Sequence, residues 1–189
     1  MSGGKKGDKR NRTRASLIKA AGEVINEKGY ERLTLEEVAR RAGMTRGAFY
    51  NNFKDKEELL LGVAETLWQP IGPKLEPGAG YRDLLEALGE AVADAAEKRR
   101  PLAVGSLSFQ LYALTHEPMR LRLFAENKAI YNWAENQMLE TISTEDLPMP
   151  AAEFVRTMHA LTEGLMTLHF LTPELITRKT IVNAFKAFK

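Results

Sequence analysis

Apolar residues recur at three- and four-residue spacing along almost the whole chain, in runs punctuated by glycine, proline and capping residues. Leu17, Ile18, Ala21, Val24 and Ile25 form one helical stripe over about 13–28, and Gly29 supplies its stop. Thr34 then precedes Leu35, Val38, Ala39 and Ala42, with Glu37 three residues on, which predicts a helix opened by a capping box. Gly43 ends that helix, because glycine alone enters the left-handed region without a steric penalty. Thr45 can cap a second helix through Arg46, Gly47, Ala48, Phe49, Tyr50 and Asn51. Two short helices joined by so tight a turn cross steeply, as in a helix-turn-helix. Val38 and Ala42 are expected to pack on Phe49 and Phe53, which leaves Thr45, Arg46, Tyr50, Asn51 and Lys54 available to a partner. Helical proteins that bind no nucleic acid also contain such pairs, so the surroundings decide.

Asp55 and Glu58 repeat the capping pattern ahead of Leu59, Leu60, Val63, Ala64 and Leu67. Lys56 falls in the first turn of that helix, where its ammonium adds to the positive end of the dipole and favours a phosphate oxygen. Prolines 70, 73 and 77 with glycines 72, 78 and 80 then break the pattern. Helical periodicity returns over about 81–98, 101–115 and 118–141, and, after a polar loop at 143–150, over 151–171 and 173–188. No alternating strand pattern longer than a few residues appears, so the fold class is all-α.

The last pair of helices is apolar on more than one side, and pairing with the same two helices of a second chain would cover the excess in a four-helix interface. Phe154, Met158, Leu161, Leu165, Leu168, Ile181 and Phe185 are the candidates; a thick intramolecular core is the alternative. Gly164 costs a helix about 1 kcal/mol against alanine, a cost that close approach of another helix would offset.

Composition and charge narrow the class. The chain has 189 residues, 44% of them hydrophobic, enough for an ordinary core. With no cysteine, a disulfide framework and a thiolate metal site are both excluded. Nothing resembles a signal peptide or a membrane span of roughly 20 apolar residues, so a cytoplasmic protein without a membrane partner is expected. The net charge of +2 hides an asymmetry: residues 1–56 hold 14 Lys or Arg against 7 Asp or Glu, and the remainder 13 against 18. A basic N-terminal module is the electrostatic footprint of phosphate binding. Residues 1–12 read as a flexible basic tail, 13–56 as a three-helix helix-turn-helix DNA-binding domain, and 57–189 as a helical effector-binding and dimerisation domain.

The stretch TLEEVARRAGMTRGAFYNNFKDKEELL closely resembles the N-terminal signature of the TetR-like (tetracycline-repressor-like) transcriptional regulators. The resemblance implies a dimeric, all-helical repressor that binds a palindromic double-stranded DNA operator through this module. It also implies release by a small hydrophobic effector held in the divergent C-terminal domain. Matched by position, Thr34, Tyr50 and Lys56 look like phosphate contacts, Thr45 and Arg46 open the recognition helix, and Gly47 allows close approach to DNA. Asn52 stands where the family commonly has histidine and can still donate to phosphate, without a titrating charge. The closing helices resemble the family's weaker dimerisation pattern.

For the effector, Trp68, Phe109, Tyr112, Tyr131, Trp133 and Met166 are the candidates to line an apolar cavity, with Gln110, Asn127 and His159 as polar anchors. Buried aromatics more often serve packing. No cofactor, metal or catalytic residue is expected: His159 and Glu163 share a helical face, yet no third ligand stands at suggestive spacing and no nucleophile motif occurs. The alternatives are a sequence-tolerant DNA-binding protein without effector and an all-helical enzyme.

Overall fold

A computed structural model describes residues 3–67, 70–76 and 78–188. Among them run nine α-helices and no strand: α1 (Gly3–Lys28), α2 (Leu35–Arg41), α3 (Arg46–Tyr50), α4 (Lys56–Leu67), α5 (Tyr81–Arg99), α6 (Ala103–Thr115), α7 (Glu117–Leu139), α8 (Ala151–Leu171) and α9 (Arg178–Lys186). The all-α reading therefore stands. Two compact units divide the chain, residues 1–69 with 104–119, and residues 70–103 with 120–189. Packing thus gathers α4 and most of α6 with the helix-turn-helix, whereas the expectation cut the chain at residue 56.

The first unit closes on the α1 stripe. Leu17, Ala21, Val24 and Ile25 are buried, and α1 packs on α2 and α4. Val38, Phe49, Phe53, Leu59, Leu60 and Val63 complete the core, with Phe49 and Phe53 stacked at 5.6 Å. At about 25 cal/mol per Å² each such aromatic stabilises the unit by a few kcal/mol, far more than any surface ion pair here.

One expectation fails at the N-terminus. The segment 1–12, read as a flexible tail, continues α1 as helix from Gly3. The apolar stripe starts only at Leu17, but Lys and Arg are good helix formers, and the Thr13 and Ser16 hydroxyls bond back to the carbonyls of Lys9 and Arg12, both at 3.0 Å. Hydrophobic periodicity marks where a helix is buried, not where it begins.

In the second unit α5 packs on α8 and α9. The approach is closest at Gly89, where an added Cβ would stand 3.2 Å from the backbone of Val182. Arg178 fastens the outside, donating to Asp94 at 2.6 Å and to Glu90 at 2.5 Å, and Lys186 reaches Glu86 at 2.6 Å. The core holds Leu85, Val92, Ala96, Met138 and Ile142 together with Phe154, Met158, Ile181 and Phe185.

Those last four correct the interface expectation, since each faces its own chain's core and is not available to a second one. An apolar stripe announces burial without naming the partner. Leu161 and Leu165 are half-buried beside the core, and Leu168 remains 48% exposed. α9 is also shorter than the expected 173–188. The chain turns through residues 172–177, and the Thr177 hydroxyl caps α9 by accepting from Thr180 N at 3.3 Å.

Candidate nucleic-acid interface

The turn between α2 and α3 is specified residue by residue. Thr34 caps α2, its hydroxyl accepting from Glu37 N at 3.3 Å, worth about 0.5–2 kcal/mol over alanine. Glu37 does not return the bond to Thr34. Its carboxylate goes to Lys28 at 2.6 Å and to Arg41 at 3.5 Å, tying α2 to the end of α1. Gly43 takes φ +67°, Gly43 N donates to Arg40 O at 3.1 Å and Met44 N to Ala39 O at 2.8 Å. This is a Schellman closure, and it ends α2 within two residues. Thr45 restarts the chain as helix, accepting from Ala48 N at 3.4 Å.

The result is a five-residue helix with one buried anchor, Phe49, and an outer surface. Thr45, Arg46, Gly47, Tyr50, Asn51 and Lys54 are all exposed, as is Thr34. Arg46 is held over this surface: Nη1 pairs with Glu36 at 2.9 Å, Nη2 donates to the Tyr50 hydroxyl at 3.4 Å, and its guanidinium lies 5.8 Å from the Tyr50 ring centroid. These contacts raise the Arg46 pKa further, the Tyr50 hydroxyl first and Glu36 next. Nothing within the chain demands a glycine at 47, where a Cβ would meet only the Thr45 hydroxyl at 3.7 Å.

Two of the expected contacts lie elsewhere. Asn52 is 8% exposed; its Nδ2 donates to Ala48 O at 2.7 Å, and its main-chain carbonyl accepts from Arg14 at 2.8 Å. An amide one residue past the C-cap of a short helix folds back onto the preceding turn, which takes it off the outer surface. Lys56 is half-buried: Nζ donates to Tyr30 O at 3.2 Å and sits 4.2 Å over the Tyr30 ring. Burial pushes its pKa down, with Glu31 opposing. Lys56 thus faces the loop between α1 and α2 rather than standing out from the start of α4.

Sequence reasoning missed what lies behind Lys56. Tyr30 is 2% exposed, its ring 4.1 Å from that of Tyr112 on α6, and its N–H donates to Ser108 Oγ at 3.3 Å. The Tyr112 hydroxyl donates to Glu57 at 3.2 Å, and His116 stacks on the Tyr112 ring at 3.7 Å. Burial raises the Tyr30 hydroxyl pKa far above its usual value, and it stays neutral. No local pattern in the sequence marks this junction, because its partners on α6 are about 80 residues away.

The effector candidates are divided between the two units. Trp68 lies outside the described residues. Phe109 and Tyr112 are buried in the first unit, and Gln110 on the same helix is exposed. Met166 is core of the second unit. Also in the second unit, the Tyr131 hydroxyl meets His159 Nδ1 at 2.7 Å, Asn127 is half-buried and Trp133 is 51% exposed. His159 stands 3.8 Å from Glu163, and no three potential ligands among the described residues could hold a metal ion. No helix among them is long and apolar enough to cross a membrane.

The family model for bacterial regulatory proteins of the tetR family matches residues 17–63, the span from the α1 stripe to Val63. The HTH-type transcriptional regulator SrpR of Pseudomonas putida is 39% identical over 83 residues, which cover 44% of this chain and 39% of SrpR. The chain spans less than two thirds of the length of the curated relatives it matches at this level. A Rhodococcus sp. structure assigned to the TetR family of transcriptional regulators superposes with a TM-score of 0.74 at 19% identity, covering 93% of this chain and 95% of that one. NalD of Pseudomonas aeruginosa, the secondary repressor of the MexAB-OprM multidrug efflux pump, gives 0.65 at 24% identity with 93% of each chain covered. At such identities the likeness speaks for the fold.

Proposed function

We propose that this chain, whose residues 17–63 match the tetR-family model, is a transcriptional repressor that binds a palindromic operator as a homodimer and is released by a small molecule. The observation that carries the reading is the outer surface of α3, where Thr45, Arg46, Tyr50, Asn51 and Lys54 are exposed together around a guanidinium already held in place. An arginine at the first turn of a recognition helix has the reach and the paired donors to meet a guanine edge in the major groove. Thr34, Tyr50 and Lys54 offer a hydroxyl, a phenol and an ammonium to flanking phosphates, and Lys56 joins them by releasing Tyr30 O.

Dimerisation is assigned to the outer face of α8 and the turn after it. Leu168, Leu171 and Leu175 are 48%, 63% and 73% exposed, and a Cβ at Gly164 would meet nothing within its own chain. Leu161, Leu165, Leu168 and Leu171 line one face of α8 and Leu175 follows in the turn, a surface suited to the same face of a second copy. The effector is assigned to the second unit, with Tyr131 and His159 as polar anchors and Trp133 as apolar wall. Its signal has a covalent route: the chain reaches α6 from residues of the second unit and returns to them after Met119, and α6 holds Tyr30, the seat of Lys56. A ligand that favours another α6 position would shift the population away from the DNA-competent state.

Selection of bound duplexes from a random pool tests the reading, followed by a screen of small hydrophobic compounds against the best duplex. An enriched inverted repeat that a compound releases is expected. A pool with no enriched sequence would reduce the protein to a sequence-tolerant DNA binder.

A further inference from the structure

The first turns of α1 are strongly basic, and of their charges Arg14 is the one that reaches the core and the helix-turn-helix through Phe53, Asn52 and Glu58. Residues 3–14 include Lys5, Lys6, Lys9, Arg10, Arg12 and Arg14 against Asp8 alone. Arg10 and Arg14 stand four apart on one helical row, where like charges repel by a few tenths of a kcal/mol. A helix with that row gains stability from an adjacent polyanion.

Arg14 fixes where these turns lie. Its Nη1 donates to Asn52 O at 2.8 Å and to Glu58 at 3.0 Å, and its guanidinium lies 4.1 Å over the Phe53 ring. Those contacts clamp α1 against the end of α3 and the start of α4, the same edge from which Lys54 projects. Arg10 is one turn further out on the Arg14 row, and its charge reaches the Glu58 carboxylate. Lys9 and Arg10 are both exposed. The opposite end of α1 leads to Tyr30 and α6, so the basic end is the one beside the recognition helix. From Arg14 back to Gly3 the helix extends about 16 Å at ~1.5 Å per residue, the length of roughly five base pairs of duplex at ~3.4 Å each.

We propose that Lys9 and Arg10 form a second phosphate-binding surface, which follows the DNA backbone outside the stretch gripped by α2, α3 and α4. The inference rests on the DNA-binding reading above and adds to it the class of contact, backbone phosphates flanking each half-site, read without regard to sequence. Arg14 is the positioning residue, holding the helix against α3 while the two outer bases meet the phosphates.

Two duplexes test this, both derived from the best sequence selected from a random pool: one trimmed to its recognised core, the other extended by about one helical turn (~10 bp) at each end. Affinity is measured by fluorescence anisotropy over a range of salt. The intact chain should show a steeper fall of log K with log salt on the long duplex, by about 0.9 for each added phosphate contact. The Lys9→Gln/Arg10→Gln pair should abolish the difference and leave binding to the core duplex unchanged, whereas the charge-preserving Lys9→Arg/Arg10→Lys pair should retain it. Equal slopes on the two duplexes for the intact chain would overturn the inference, as would a slope difference that survives in the Gln pair. A chain that binds neither duplex defeats the DNA reading itself, and so separates the two failures.

Discussion

Replacing Arg46 with alanine removes the only guanidinium in α3. A bidentate arginine–guanine contact discriminates against the wrong base by roughly 5- to 150-fold, and a two-fold dimer uses one such contact per half-site. Against this stands the attraction that holds Arg46 in the free protein. Its partner Glu36 is 61% exposed at 2.9 Å and the Tyr50 hydroxyl is at a long 3.4 Å, so both act in high dielectric and are weak. The guanine contact should win, and freeing the guanidinium by Glu36→Gln should leave operator affinity equal or raised by no more than about 5-fold. The assay is anisotropy on the selected duplex and on versions changed one base pair at a time. Arg46→Ala should weaken the best duplex by roughly 5-fold or more per half-site and flatten preference at one position in each. Arg46→Lys should keep the salt slope yet lose that preference, because an ammonium cannot offer paired donors. An unaltered preference with uniformly weaker binding would make Arg46 a phosphate contact and refute the base-reading role.

Other outcomes follow from single contacts. Gly43→Ala should destabilise the chain by about 1–2 kcal/mol in urea unfolding, all of it from the left-handed backbone, since nothing lies within 4 Å of the added Cβ; Gly43→Asn should cost less. Leu168→Glu should lower the solution mass from two chains to one by light scattering while the thermal midpoint of the dilute protein holds, because Leu168 stands outside the core. Acid should destabilise the protein through its carboxylates. Glu58 is held below its ordinary 4.5, first by the Lys54 N–H and then by Arg14, so its contribution is present above about 4.5 and lost as pH falls through the folded value. Glu27 beside Arg41 and Glu37 beside Lys28 are shifted the same way. The unfolding midpoint should therefore fall as the pH drops below about 4.5, and fall less in Glu58→Gln.

The helix ends were legible in the sequence wherever a side chain or glycine determines the backbone locally. Thr34, Gly43, Thr45 and Asp55 each perform the expected local bond or turn. What the sequence hid depends on contacts distant along the chain. The first turn of α4 places Lys56 facing outward by local geometry alone, and its actual seat is the ring and carbonyl of Tyr30, 26 residues earlier. The resemblance puts Asn52 at the DNA face, and its side chain instead folds inward onto Ala48 O. Phe154, Met158, Ile181 and Phe185 show the same limit on a larger scale: periodicity located the buried face, but the choice between α5 and a second chain is set by tertiary packing. For the effector candidates, an aromatic on a middle helix carries no local mark that separates wall from core.

The proposed function requires two copies of α3 in successive major grooves of one duplex. Methylation interference at guanine N7 on the selected duplex tests this most directly, because N7 faces only that groove. Interfering guanines should fall in two clusters on one face of the DNA, centred about 34–36 Å apart. Interference spread evenly over the duplex, or absent from it, would contradict that arrangement.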